Sequence, residues 1–204
     1  QRIIEYWRTV VLDTSNGRTR YIEFDEEDDW RYISTGGVVA PIAGDPGSGR
    51  MLSRDLEGRL SVFRVDFDRG SARPAAGANR ETVDIILNER GGIGARADLN
   101  DRTNAWEIFD YGADNQPRRI LNGQSEASSM PGLIGFLPDG RLVMSTGRAE
   151  GDRSIIVALN TETGERETLA EHERHDVGGA VGDPWAHYVI GAAWTEDLPQ
   201  RLYF

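Results

Sequence analysis

The sequence predicts an all-β protein with about four blade-equivalents of a β-propeller, each complete blade being a four-stranded antiparallel sheet. Turns rich in Asp, Asn and Gly recur along the chain, alternating apolar strands flank them, and no segment has a convincing helical periodicity. Gly17 and Gly70 are 53 residues apart, and Gly70 and Gly164 are 94 apart, which is two periods of 47. A period of this length is typical of propeller blades, and we expect the blades to be part of a larger propeller.

Two kinds of hairpin alternate within this period. The longer kind has an apolar first strand, and its four copies turn near Gly17, Gly70, Gly112 and Gly164. The shorter kind turns at Gly36-Gly37, Arg90-Gly91-Gly92, Pro138-Asp139-Gly140 and Gly182-Asp183-Pro184. Gly, Asn and Asp tolerate the positive φ angles that tight hairpins require, so each of these segments is a predicted turn.

The order of the hairpins predicts a single propeller region over residues 1–204. It would hold a partial blade at 1–24, whole blades at about 30–77, 80–123 and 126–171, and a partial blade at 177–204. The two partial blades are complementary halves, so the chain looks cut at both ends. Pairing within one chain would close a ring of four blades, whereas edges that cannot meet would pair between molecules into a homo-oligomer. We expect the open form, because Leu202-Tyr203-Phe204 starts a further strand.

Composition excludes several classes of function. The net charge is −11 and no Lys is present, so there is no basic stripe for nucleic acid or an anionic membrane surface. The absence of Cys excludes disulfides and thiolate chemistry. No apolar run approaches the roughly 20 residues of a membrane span. We therefore expect neither nucleic acid nor membrane as a partner.

Several segments carry a family resemblance. Phe136-Leu137-Pro138-Asp139-Gly140-Arg141-Leu142 resembles the hairpin of TolB-like propellers. A wider set resembles the N-terminal propeller of bacterial prolyl oligopeptidase-family serine peptidases, in the acylaminoacyl and dipeptidyl peptidase branch. That set consists of Val62-Phe63-Arg64-Val65-Asp66, Arg80-Glu81-Thr82-Val83-Asp84, and the tail over residues 172–179, 183–184 and 192–199.

The resemblance implies a non-catalytic propeller that filters peptide substrates for an α/β-hydrolase domain of the same protein. That domain would follow the propeller and is not in this chain, so the catalytic triad has no positions here and no catalytic or cofactor-binding residue is assigned. The parent protein would be a bacterial serine peptidase of the periplasm or cytoplasm. The alternative is a free-standing TolB-like propeller that binds a protein or another ligand.

Two serines are candidates for a hydrolase nucleophile. Such a nucleophile needs a Gly-x-Ser-x-Gly turn between a strand and a helix. Ser125 has the nearest match, but the polar and Pro-containing residues after it predict a loop rather than a helix. Ser48 has Pro46 in the first Gly position and is also expected in a loop. Neither is predicted to be catalytic.

The histidines raise the question of a metal site. His172 and His175 are three apart, which would place them on opposite faces of a strand and is the wrong spacing for the His-Glu-x-x-His motif. An exposed loop between blades is the favoured interpretation, and His187 stands alone in a turn. The sequence thus predicts no metal site, and zinc and calcium are expected to leave the melting temperature unchanged.

Two further groups of residues have structural interpretations. The acidic run at Asp25-Glu26-Glu27-Asp28-Asp29 lacks the spacing and the Gly of a calcium loop, and Glu26-Glu27 only superficially matches the paired Glu residues with which dipeptide-removing relatives hold a substrate amine. A solvated loop is expected there. The tryptophans are expected to pack between blades, and they are Trp7, Trp30, Trp106, Trp185 and Trp194.

We predict that this chain alone does not hydrolyse aminoacyl or peptidyl chromogenic esters, because it lacks the turn that exposes a nucleophilic serine. The measurement is ester turnover by purified protein, with a Ser125→Ala variant prepared in parallel. Turnover that the variant loses, and that contaminant controls do not explain, would contradict the prediction.

Overall fold

The structure is a computed structural model that describes residues 8–24, 38–42, 44–54, 57–124, 130–147, 153–183 and 188–204. These residues form 18 β-strands and no helix. Across the same residues, no helix has the length and apolar character needed to cross a bilayer. The all-β fold class, with antiparallel blades of the β-propeller kind, is therefore confirmed.

The chain divides into two compact units. The first consists of Gln1–Thr82 with Arg90–Gly92, and the second of Val83–Glu89 with Ile93–Phe204. In the first unit, β1 (Val10–Asp13) and β2 (Arg18–Tyr21) form a two-stranded hairpin. The other strands of this unit form one sheet in the order β3-β7-β6-β5-β4, with bounds β3 Glu23–Phe24, β4 Val38–Ile42, β5 Asp45–Arg54, β6 Leu60–Asp66 and β7 Ser71–Gly77.

The sheet of the first unit combines an antiparallel blade with one added strand. Strands β4 to β7 follow one another as antiparallel neighbours, and β3 pairs with β7 in parallel. Its core is an apolar cluster that includes Phe63, Met51 and Ile22, all fully buried. Phe24 meets Phe63 edge to face at 4.9 Å between ring centroids, which fixes β3 against the core.

The second unit contains three consecutive antiparallel sheets. The first holds β8 (Thr82–Leu87), β9 (Ile93–Asn100), β10 (Ala105–Asp110) and β11 (Arg118–Gln124). The middle sheet holds β12 (Gly132–Phe136), β13 (Leu142–Gly147), β14 (Ser154–Leu159) and β15 (Arg166–Ala170). The last sheet has three described strands, β16 (Gly179–Gly182), β17 (Val189–Thr195) and β18 (Pro199–Tyr203).

The middle sheet, β12 to β15, is buried on both faces. Successive residues of β13 alternate between two cores: Leu142 and Met144 belong to the core shared with the preceding sheet, and Val143 to the core shared with the last sheet. Residues that pair across β13 and β14 belong to the same core, as Leu142 does with Leu159 and Val143 does with Ala158. Side chains of a strand alternate between faces, so burial of both faces gives unbroken apolar runs.

Four of the strand connections share one five-residue turn, at residues 13–17, 66–70, 100–104 and 160–164. In each, the carbonyl of the first residue accepts the backbone N–H of the fifth at 2.8–2.9 Å. The side-chain oxygen of the first residue, Asp or Asn, accepts a backbone N–H two or three positions later. The fifth residue has a positive φ, between 55° and 77°. Three of these turns end in the glycines that set the predicted period, and the fourth ends in Asn104, a residue that also tolerates this conformation.

The structure corrects three details of the sequence prediction. Ser48 lies in strand β5, where it is 6% exposed, and not in a loop, because residues 48–54 of this strand pair with β6. The first long hairpin breaks at Ile22, after which β3 joins a different sheet. Residues 199–203 add a third strand to the last hairpin, earlier than the expected start at Leu202. The predicted turn at Gly36-Gly37 lies outside the described residues.

We predict that Leu159→Ala lowers the free energy of unfolding by about 2–5 kcal/mol, because it opens a cavity between two sheets. Leu159 is 1% exposed and Leu198 is 69% exposed, so the matched variant Leu198→Ala should change stability by no more than about 0.5 kcal/mol. Urea unfolding followed by tryptophan fluorescence measures both. Equal losses in the two variants would show that the core between these sheets is misassigned.

Candidate functional site

A cleft opens at one end of the three sheets of the second unit. In an antiparallel sheet that follows chain order, the connection of the first two strands and that of the last two lie at the same end. The cleft is therefore bordered by the β8–β9, β10–β11, β12–β13 and β14–β15 turns, together with Tyr188 before β17. Its volume is about 420 Å³, within the range of small-molecule and peptide side-chain pockets.

The apolar side of the cleft centres on Phe136, the last residue of β12. Phe136 forms a parallel bridge with Tyr188, and its ring lies over Gly94 in β9. A Cβ atom at Gly94 would come within 2.6 Å of the Phe136 ring, so only glycine leaves room for the ring in this position. Phe136 thereby contacts β9 through its ring and Tyr188 through its backbone. Leu137 and Pro138 extend the apolar surface towards the turn.

A polar bridge joins two of the turns that border the cleft. The guanidinium of Arg118 donates to Asp110 Oδ2 at 3.2 Å and to the carbonyl of Thr161 at 3.0 Å. The Thr161 hydroxyl donates to the same carboxylate oxygen at 3.1 Å. Asp110 is 7% exposed, and these bonds, one of them from a cation, compensate its burial. The bridge fixes the β10–β11 turn relative to the β14–β15 turn.

The remaining carboxylates give the cleft its negative charge. Asp139 is paired with Arg141, whose backbone N–H is the main cause that lowers the pKa of Asp139. Glu89 accepts a hydrogen bond from the Tyr188 hydroxyl at 3.1 Å, and this bond raises the pKa of Tyr188. In the described part of the chain, no cation pairs with Glu89 or with the exposed Glu162. Beside its apolar wall, the cleft thus presents two carboxylates that have no counter-ion among the described residues.

The histidine pair lies away from this cleft, in the segment between β15 and β16. The two histidines lie in a loop, but they are half-buried and not exposed as the sequence interpretation expected. The centroids of His172 and His175 are 4.9 Å apart. Glu196, in the β17–β18 turn, approaches His172 Nε2 at 3.3 Å, and the three side chains form a cluster with metal-ligand chemistry.

The other residues considered from the sequence are placed as follows. The Ser48 hydroxyl contacts the Asp45 carboxylate and the Arg64 guanidinium, and the residue is only 6% exposed. Trp106 and Trp194 pack against the two cores of the second unit, as expected for blade packing. Ser125, His187, the acidic run at residues 25–29, and Trp7, Trp30 and Trp185 lie outside the described residues.

Sequence reasoning assigned no role to the cleft residues. The segment Phe136 to Arg141 was predicted to be a hairpin turn that resembles those of TolB-like propellers, and Glu89 and Glu162 are exposed turn residues of an ordinary kind. Knowing which turns share one end of the unit requires the strand order. The signal available in the sequence was the recurrence of Asp and Glu in turns of the same phase.

Several solved structures are similar to this chain in fold. TolB from Acinetobacter baumannii matches with a TM-score of 0.58 and 12% identity, covering 93% of this chain and 43% of that chain. A putative TolB from Agrobacterium tumefaciens matches at 0.54 and 11% identity, with coverages of 93% and 63%. Acylaminoacyl peptidase from Pyrococcus horikoshii matches at 0.50 and 13% identity, with coverages of 94% and 34%.

These likenesses show the β-propeller fold. The chain spans less than two thirds of each of the three solved chains. Scans against protein-family models and curated proteins find no match. The chain is therefore similar in fold to both TolB and a peptidase propeller.

We predict that Glu89→Gln lowers the pKa of Tyr188 towards that of a free tyrosine. The Glu89 carboxylate holds the phenolic proton and repels the phenolate, so both effects of the wild-type residue raise this pKa. Titration of the tyrosine ring resonances by NMR measures the change, and Glu165→Gln, an exposed turn residue outside the cleft lining, is the control. Identical titrations in wild type and Glu89→Gln would contradict the contact.

Proposed function

We propose that this chain is a non-catalytic propeller module whose cleft binds a peptide segment that carries a positive charge beside an apolar side chain. The observation that carries the proposal is that the carboxylates of Glu89 and Glu162 line the same cleft as the apolar ring of Phe136. Binding sites typically combine an apolar surface with a few placed polar groups. The cleft has this composition.

The apolar wall favours a ligand with an aromatic or branched side chain. Phe136 is only half-buried, although it contacts Gly94 and bridges Tyr188. A ligand that covers the exposed part of this ring would gain about 25 cal/mol of binding free energy for each Å² of apolar surface removed from water. The Arg118 bridge holds the surrounding turns, so little ordering would be required of the protein on binding.

The charge of the site favours a cationic ligand. Asp110 and Asp139 are already paired with Arg118 and Arg141, which leaves Glu89 and Glu162 to attract an amine or guanidinium. The net charge of the chain, −11, is negative like the two carboxylates. It would therefore steer a cationic peptide towards the protein and repel an acidic one.

Two settings fit such a module. In the first, the propeller filters peptide substrates for an α/β-hydrolase domain of a prolyl oligopeptidase-like serine peptidase, a setting supported by the fold similarity to acylaminoacyl peptidase. In the second, it is a free-standing TolB-like binding module, which the two TolB similarities support. The presence or absence of a hydrolase domain in the gene product distinguishes them, because such a domain would bring a Gly-x-Ser-x-Gly motif.

We predict that a short fluorescent peptide with Arg beside Leu or Phe binds this chain, and that the same peptide with Glu in place of Arg does not. Glu89→Gln and Glu162→Gln should each weaken binding by about 2- to 5-fold, the effect of one exposed charge pair. Fluorescence anisotropy at low and high salt measures the affinity, and added salt should weaken it.

The matched control is Asp197→Asn, which removes one exposed negative charge from a turn outside the cleft. If Asp197→Asn weakens binding as much as Glu89→Gln, the peptide responds to net charge and the cleft is not its site. Equal affinity for the Arg and Glu peptides would also contradict the proposal.

A further inference from the structure

Three side chains from two connections of the last sheet meet at one point. His172 and His175 come from the segment before β16, and Glu196 comes from the turn between β17 and β18. Their nearest ligand atoms, one from each side chain, all lie within 4.8 Å of one another. This cluster lies outside the cleft described above and shares no residue with it.

The backbone explains how a spacing of three residues brings two imidazoles together. The N–H groups of Arg174 and His175 both donate to Nδ1 of His172, each at 3.2 Å. These bonds bend the chain, so His175 returns beside His172 instead of pointing to an opposite face. The expectation of no metal site rested on the poor geometry of this spacing in a strand or an exposed loop. The bend brings the two rings together in spite of the spacing.

Glu196 is also held in place. The indole N–H of Trp194 donates to Glu196 Oε1 at 3.0 Å, and this bond is the main cause that lowers the pKa of Glu196. The Trp194 ring lies 5.7 Å from the His172 ring between centroids. The carboxylate is therefore oriented towards the imidazoles by a neighbour that is not itself a ligand.

We propose that His172, His175 and Glu196 form a zinc-binding site. Two imidazoles and one carboxylate are ligands that zinc accepts readily, and a set of three protein ligands leaves a fourth position for water. The Trp194 N–H acts on the carboxylate in the way that outer-shell donors orient metal ligands. The site is half-buried at both histidines and exposed at Glu196, so the ion has a path from solvent.

Zinc binding requires a change in where the His172 ring carries its proton. Without metal, Nδ1 accepts the two backbone N–H groups, so the neutral ring carries its proton on Nε2, which faces Glu196 Oε1 at 3.3 Å. Zinc bonds to the Nε2 lone pair, and the ring proton then resides on Nδ1. The two long bonds from Arg174 and His175 are lost, and water replaces the acceptor at this partly exposed bend.

The test is zinc titration of tag-free protein, freed of metal by a chelator, using isothermal calorimetry at neutral pH. We expect one zinc ion per chain and a melting temperature that rises with zinc concentration. His175→Ala and Glu196→Gln should each weaken zinc binding by at least about 10- to 100-fold, and Trp194→Phe, which keeps a ring but removes the N–H, by up to about 10-fold. Glu173→Gln, an exposed carboxylate of the same bend, should bind zinc as wild type does.

Hydrogen exchange provides a second measurement that does not depend on variants. The amides of Arg174 and His175 should exchange faster with zinc bound than without it, while the amides of β17 become better protected. The proposal is overturned if wild type shows no zinc heat and no rise in melting temperature. It is equally overturned if His175→Ala and Glu196→Gln, shown to be folded by circular dichroism, bind zinc with wild-type affinity, or if the two bend amides do not change.

Discussion

The second unit depends on one packing constraint, which is that its middle sheet must fill two cores at once. Alternate residues of β13 and β14 serve opposite faces, as Val143 and Met144 do within one strand. A change of pairing register by one residue would exchange the two sets and place each side chain in the wrong core. The turns that end these strands are fixed as a result, and with them the positions of the cleft residues.

Much of the fold could be predicted because its signals are local. A five-residue turn is encoded by an Asp or Asn at its start and a residue that tolerates positive φ at its end, so Gly17, Gly70 and Gly164 reveal the period directly. The turn at Asn100 was missed, because Asn104 takes the place of glycine there. The strand at Ser48 was missed for a related reason, since Pro46 and two glycines indicate a loop unless a neighbouring strand supplies the pairing.

The candidate sites were harder to predict because they are assembled from residues far apart in sequence. Glu89 and Tyr188 are 99 positions apart and meet only because their turns lie at the same end of the sheets. The histidine pair was visible in the sequence, but its third member, Glu196, belongs to another hairpin. The geometry of the histidine pair follows from two backbone N–H groups that donate to the Nδ1 atom of His172, and residue spacing does not reveal these bonds.

The shared turn has a consequence for how this fold persists as sequences diverge. Each turn closes through bonds within its own five residues, so it needs little from the strands around it. The rest of the sheet requires only that apolar residues occupy the correct faces, a demand that many different sequences meet. The same architecture can then be built with few residues in common, which is consistent with 11–13% identity to chains of similar architecture.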